Sequence, residues 1–309
     1  MKTVFITRRL PSVAEEMLEK HFKVTASKKN KTISHKELIN AISKYDAILS
    51  TVSDKLSSDI LAKKKNLQVI SNYAVGLNNI DVKFAQKKGI AVYNTPDVVT
   101  ESTADMTFAL LLSLIRKTEE ARHFVKKGKW SEWDPEIFLG EELDGKTFGI
   151  IGFGRVGQAV SKRAAGFGLK VIFYNQPKLK GSRFSGNAKQ VSLSKLLEKS
   201  DYISIHVPLQ KDTRYLINKK SIGLMKRKPI IINIARGEIV KTDSLVNAIK
   251  EGNIRGACLD VTDPEPIKSN HPLSKMRNCM ILPHIGTATK ECRHAMAKKA
   301  AQNIINHFK

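Results

Sequence analysis

Thr147-Phe148-Gly149-Ile150-Ile151 runs without a break into Gly152-Phe153-Gly154-Arg155-Val156-Gly157 and then into a helix-forming stretch from Gln158 to Ala165. No other segment narrows the fold as far. A bare G-x-G-x-x-G is weak evidence, but one that ends an apolar run and opens a helix specifies a strand–turn–helix unit. Gly152 permits the tight turn, Gly154 lets the backbone approach a pyrophosphate, and Gly157 lets the helix pack closely on the strand. The helix N-terminus then turns free N–H groups and a positive dipole end toward phosphate.

The rest of the chain supplies the sheet that such a unit requires. Short β-branched runs alternate with charged stretches of helical period: Val4–Ile6, a helix near 12–21, Asp46–Ser50, Leu67–Ser71, a helix near 79–88, and Ile90–Val92. That alternation predicts βα units on a parallel sheet. A helix is predicted over Glu101–Glu120, begun by Ser102 and Asp105 at capping-box spacing. Gly128–Gly145 holds both tryptophans, a proline and three glycines without a period, and reads as a loop. A second series of strands follows at Thr147–Ile151, Lys170–Tyr174, Tyr202–Ile205, Ile230–Ile234, Ala257–Leu259 and Met280–Leu282, which suffices for a dinucleotide-binding sheet. Thr289–Lys309 reads as a closing helix. The 309 residues exceed what one core usually organises. The expectation is α/β with two doubly wound parallel-sheet domains: a Rossmann dinucleotide-binding domain over 98–285 and a flavodoxin-like domain over 1–97 plus 286–309.

Charge and cysteine usage bound the function classes. Lys+Arg number 53 against 29 Asp+Glu, a formal net charge of +24, which raises the question of nucleic acid. The excess is spread along the whole chain and is mostly lysine, so a basic coat is favoured over a phosphate-reading surface. Cys258, Cys279 and Cys292 form neither an even set nor a C-x-x-C spacing, so no disulfide framework or metal site is expected and a reducing cytoplasm fits. The N-terminus lacks the apolar core of a signal peptide. The longest greasy run, Met106–Ile115, is far short of the ~20 residues that span a bilayer.

Where the second strand of the dinucleotide unit ends, an NAD-binding chain carries an acid for the adenosine ribose. Here the strand ends Phe173-Tyr174-Asn175-Gln176, and no acid occurs from Lys170 to Leu197, while Lys170, Lys178, Lys180, Arg183 and Lys189 are basic. The expectation is NADP(H), with NAD(H) the alternative. Further along, Arg236, Asp260, Glu265, His284 and the pair Val207-Pro208 all follow predicted strands, so they leave the carboxyl edge on which the glycine loop lies. Arg236 offers a fork for a carboxylate. His284 is a proton donor and acceptor for a carbonyl reduced by hydride, and Glu265 on its other nitrogen is expected to support the charged ring. His206, also at a strand end, reads as structural. Together these residues suit reduction of a small 2-oxo acid.

Six stretches carry a family resemblance: Asn72-Tyr73-Ala74-Val75-Gly76, Thr95 to Ala104, the glycine loop, Asn233-Ile234-Ala235-Arg236-Gly237, Leu259 to Pro266, and Leu282-Pro283-His284-Ile285-Gly286. The chain resembles the D-isomer-specific 2-hydroxyacid dehydrogenases over essentially its whole length. His271-Pro272-Leu273, Asp263-Pro264-Glu265-Pro266 and the tryptophan loop look most like the glyoxylate/hydroxypyruvate reductases within it. The resemblance implies that Arg236, Glu265 and His284 are the catalytic set and that Val75 and Gly76 give backbone N–H groups to the substrate carboxylate. It implies a cofactor site lined by Thr103, Arg155, Val156, Val207, Pro208, Ile234, Ala235, Asp260 and Gly286, and a homodimer with Gly128–Gly140 as an arm anchored by Trp130 and Trp133. Asn175 stands where NAD-using relatives carry Asp. The other readings are a reductase of another 2-oxo acid or of phosphohydroxypyruvate, a cofactor-sensing regulator on the same fold, and a basic nucleic-acid binder.

Overall fold

The computed structural model describes residues 1–28, 30–176 and 188–309. They divide into two compact units, Met1–Val99 with Thr287–Lys309, and Thr100–Gly286. In the first, the chain runs β1 (Thr3–Ile6), α1 (Val13–Glu19), β2 (Lys23–Ala26), α2 (His35–Lys44), β3 (Ala47–Ser50), α3 (Ser58–Leu61), β4 (Val69–Asn72), α4 (Val82–Lys87) and β5 (Ala91–Tyr93). Every strand pair is parallel, in the order β2-β1-β3-β4-β5, the flavodoxin-like winding. β3 and β4 are buried along their whole length, as strands covered on both faces must be.

The second unit runs α5 (Thr100–Ile115), α6 (Thr118–Lys126), β6 (Thr147–Ile151), α7 (Arg155–Gly166), β7 (Lys170–Tyr174), β8 (Lys189–Gln190), α8 (Leu193–Lys199), β9 (Tyr202–Ile205), α9 (Lys219–Ile222), β10 (Ile230–Asn233), α10 (Thr242–Lys250), β11 (Gly256–Leu259), α11 (Pro272–Lys275) and β12 (Cys279–Ile281). Its strands, again all parallel, lie in the order β12-β11-β10-β9-β6-β7-β8. The winding reverses between β6 and β9. Alternate residues feed opposite faces: Ile230 and Ile232 pack with Phe108, Phe148 and Val160, while Ile231 packs with Leu196, Ile203 and Leu245, the period-two rule of a strand.

The last helix, α12 (Lys290–Phe308), belongs to the first unit. Met296, Ala300 and Ile304 from it pack with Val4, Leu18 and Leu49 on one sheet face, and Ile42, Ile48, Ile60 and Ile70 pack together on the other. The fold class is the one the alternating pattern predicts.

Three local expectations need correction. The helix predicted over 101–120 is two helices, because Lys117 turns left-handed at φ 51°. Ser102 and Asp105 do not cap it: both lie inside α5, where the Ser102 hydroxyl donates to the Gly286 carbonyl (2.8 Å) and Asp105 pairs with Arg163 of α7 (2.7 Å). β2, β8 and α2 were not foreseen. The two strands are short, half-exposed edges with little apolar content, whereas α2 is announced by a capping box, Ser34 with Glu37, that the pattern of apolar residues alone passes over.

Candidate active site

The glycine loop sits at the carboxyl end of β6, at the point where the winding reverses. Gly152 has φ 94°, and a Cβ there would meet the Val207 side chain and the His206 backbone at the end of β9, so only glycine lets the two strand ends close up. A Cβ on Gly154 would meet nothing, leaving its backbone bare, while one on Gly157 would strike the Gly152 carbonyl. Gly154 is the N-cap of α7, which runs for 12 residues from Arg155. An open cradle facing the first turn of a long helix fits a dinucleotide pyrophosphate. Asn175, at the end of β7, uses its Oδ1 to accept the Phe153 N–H (2.9 Å); Gln176 accepts from the Tyr174 hydroxyl (2.8 Å).

The neighbouring strand ends carry the ionisable groups. At the last position of β10, the buried Asn233 shapes the turn, accepting the Ala235 N–H (3.1 Å) and donating to the Arg236 carbonyl (2.8 Å). The Arg236 guanidinium donates to the Ala235 carbonyl (2.7 Å). Gly237 follows, where a Cβ would collide with the Thr262 carbonyl, so a glycine lets the Arg236 turn lie against the loop that carries Glu265. After β12, His284 Nδ1 meets Glu265 Oε1 at 2.7 Å, and the other carboxylate oxygen accepts the Thr262 N–H (3.3 Å). His284 itself lies at φ 55°, a left-handed conformation that a residue other than glycine keeps where its neighbours hold it. The buried Asp260 does so: its backbone carbonyl accepts the His284 N–H (2.9 Å), and its two carboxylate oxygens accept the N–H groups of Ile285 and Gly286 (2.7 Å each).

These groups sense one another electrostatically. Burial pushes the Glu265 carboxyl up, but the hydrogen bond and charge of His284, the Thr262 N–H and the Arg236 charge outweigh it, and the group sits below its ordinary value. Asp260 goes the other way: burial raises it more than the Ile285 and Gly286 N–H groups and His284 lower it. Burial lowers Arg236 against the pull of Glu265 and Glu238, and a guanidinium starting so high stays cationic at neutral pH. His206 is pushed down to about 3 by burial and its Nε2 lies 2.6 Å from the Ser204 hydroxyl, which suits a neutral structural ring.

Of the remaining residues singled out in the sequence, Ile234 and Gly286 stand beside Asp260, since a Cβ on Gly286 would crowd the Asp260 carboxylate and the Ile234 side chain. Arg155 and Val156 open α7, Thr103 is buried on α5, and the Pro208 carbonyl accepts from the Thr213 hydroxyl (2.6 Å). Val75 and Gly76 belong to the first unit, on the turn after β4, where their carbonyls accept from the side chains of Asn94 and Asn72. Lys178, Lys180 and Arg183 lie outside the described residues. Lys170 cannot serve a phosphate at the glycine loop, because it starts β7 and so occupies the opposite edge of the sheet. Thr262 and Gly237 were not foreseen as site residues. Their roles depend on backbone contacts between loops far apart in sequence, which no spacing reveals.

The sequence profile of the D-isomer specific 2-hydroxyacid dehydrogenase NAD binding domain matches residues 108–286. A curated glyoxylate reductase of Thermococcus litoralis is 44% identical over 306 residues, 98% of this chain and 92% of the relative. A crystal structure of a Thermus thermophilus protein superposes with a TM-score of 0.91 at 38% identity, covering 98% of this chain and 96% of that one. An NADPH-dependent glyoxylate/hydroxypyruvate reductase from Sinorhizobium meliloti, solved with NADP and malonate, superposes at 0.86 with 27% identity over 100% of this chain and 94% of that one. The chain belongs to the D-isomer specific 2-hydroxyacid dehydrogenases, a family of oxidoreductases.

Proposed function

We propose that this chain reduces glyoxylate or hydroxypyruvate to the corresponding 2-hydroxy acid, D in configuration where a stereocentre forms, with NADP(H) as cofactor. The observation that carries the reading is the Glu265–His284 pair, 2.7 Å apart, at the carboxyl edge that also holds Arg236 and the glycine cradle. A bound nicotinamide supplies the hydride. Arg236 binds the substrate carboxylate through its fork and draws electron density from the adjacent carbonyl. Glu265 occupies Nδ1 of His284 and so leaves Nε2 as the nitrogen that hands a proton to the carbonyl oxygen. In the oxidative direction the neutral ring takes that proton back. Asp260 keeps the His284 turn in its left-handed conformation and thereby aims the ring.

Several finer assignments share this footing. Thr103, Gly152, Gly154, Arg155, Val156, Gly157, Val207, Pro208, Ile234, Ala235 and Gly286 would line the cofactor, with Asn175, Gln176 and Lys178 toward the adenosine ribose. Asn175 lacks the charge that repels a 2′-phosphate, and the Sinorhizobium meliloti neighbour holds NADP. Trp130 and Trp133, 65% and 80% exposed, are the arm of a homodimer. Free thiols at Cys258, Cys279 and Cys292 suit the cytoplasm, and no described helix is long and apolar enough to cross a membrane.

Loss of nicotinamide absorbance with a panel of 2-oxo acids tests the reading. Glyoxylate and hydroxypyruvate are expected to be turned over fastest, and with NADPH in preference to NADH. A chain that binds the cofactor but reduces no 2-oxo acid is a sensor instead.

A further inference from the structure

The first unit holds a cavity of about 320 Å³ at the carboxyl ends of β1 and β2, on the β1–α1 loop. No residue proposed for catalysis or cofactor binding lines it. Ile6, Ala14 and Ala26 form apolar wall, and Arg8, Arg9 and Lys28 bring three cations to it against one acid, Glu15. Among the described residues none of these cations lies within ion-pair distance of a carboxylate; Arg8 spends one donor on the Asn30 carbonyl (3.2 Å). Like charges that outnumber their counter-charges at one concave site repel one another, and an anion of matching charge relieves that repulsion.

We propose that this cavity is a second ligand site, which takes a small organic dianion. Three cations less one carboxylate leave two charges to be met. The volume stands at the low end of small-molecule sites, roughly 300–1,000 Å³, so the ligand is of metabolite size. Apolar wall on one side and guanidinium forks on the other suit a short carbon skeleton bearing phosphate or paired carboxylates. The cavity opens on the carboxyl edge of the sheet, the edge on which doubly wound sheets take ligands, but beside β2 and not at the switch point between β1 and β3.

Equilibrium dialysis of radiolabelled inorganic phosphate and, separately, of radiolabelled succinate tests the site, with NADP⁺ kept saturating so that the glycine loop does not contribute. Saturable binding is expected for at least one probe, weakened about tenfold or more by Arg9→Gln with Lys28→Gln, since each lost cation removes a charge-assisted contact. Lys63→Gln with Lys65→Gln removes the same charge from exposed positions in the same unit and is expected to leave binding unchanged. Glyoxylate turnover is expected to be unaltered in both double variants. The two probes decide between a phosphoryl and a dicarboxylate ligand. Absence of saturable binding, or an equal loss in both double variants, would mean that only the general lysine coat attracts anions and would overturn the proposal.

Discussion

His284 has one ring nitrogen taken by Glu265 and a backbone bent into a left-handed turn, so its chemistry is concentrated on the nitrogen that remains. His284→Ala is expected to lower kcat by roughly 10²–10⁴-fold while the cofactor dissociation constant changes little; a variant with undiminished kcat would exclude the proton-donor role. Glu265 sits below its ordinary value of 4.5 because His284, Thr262 and Arg236 together outweigh burial. A carboxyl depressed in the folded state adds stability above its unfolded pKa and loses it as pH falls through the folded one. The Tm of the wild type should therefore exceed that of Glu265→Gln at neutral pH, with the gap closing as pH is taken well below 4.5. Asn175 already binds the Phe153 N–H through Oδ1, and an aspartate keeps that acceptor while adding a charge. Asn175→Asp should shift the ratio of kcat/KM for NADH over NADPH upward by about tenfold or more, without loss of fold.

Elements matter here through their ends. Gly237 opens a short 3₁₀ turn after β10, and its missing Cβ lets that turn touch the Thr262–Asp263 backbone beyond β11. Gly237→Ala forces one turn away from the other, and such overpacking costs about 1–3 kcal/mol. The expected result is a lower Tm and a fall in kcat/KM larger than the loss of stability alone produces, because Arg236 and Glu265 are displaced together. Thermal unfolding and steady-state kinetics on the same preparation separate the two effects. The central strands tolerate no comparable freedom: β9, β10 and β11 are buried from end to end, so the loops carry the chemistry and the strands hold them in place.

At the scale of the whole molecule the exposed loop proposed as a dimer arm is the outlier. Trp130, Trp133 and Leu139, all on one loop, are 65%, 80% and 63% exposed, and large apolar side chains exposed on one segment suit an interaction surface. Sedimentation equilibrium is expected to show a dimer, and Trp130→Ser with Trp133→Ser is expected to weaken it by more than tenfold, since buried aromatics dominate interfaces. A wild-type protein that stays monomeric at micromolar concentration removes the arm's proposed role. The net charge of +24 does not work against pairing through an apolar arm, because repulsion between dispersed surface lysines is screened within about 8 Å at physiological salt.

How much of this was legible beforehand follows from what each feature depends on. The glycine loop, the alternation of strands and helices, and the placement of Arg236, Glu265 and His284 after strands are local patterns, and local patterns are written in consecutive residues. They sufficed for two parallel α/β sheets and for a set of groups on one edge. The edge strands Lys23–Ala26 and Lys189–Gln190 were not legible, because an edge needs little apolar content to pair. Nor was the left-handed break at Lys117, which splits what the apolar spacing joins. The Asp260 carboxylate on two successive N–H groups and the fit of Gly237 against Thr262 were decided by tertiary structure alone. Both arise where parallel strands set loops distant in sequence side by side, and the packing of one backbone on another leaves no period or spacing to read.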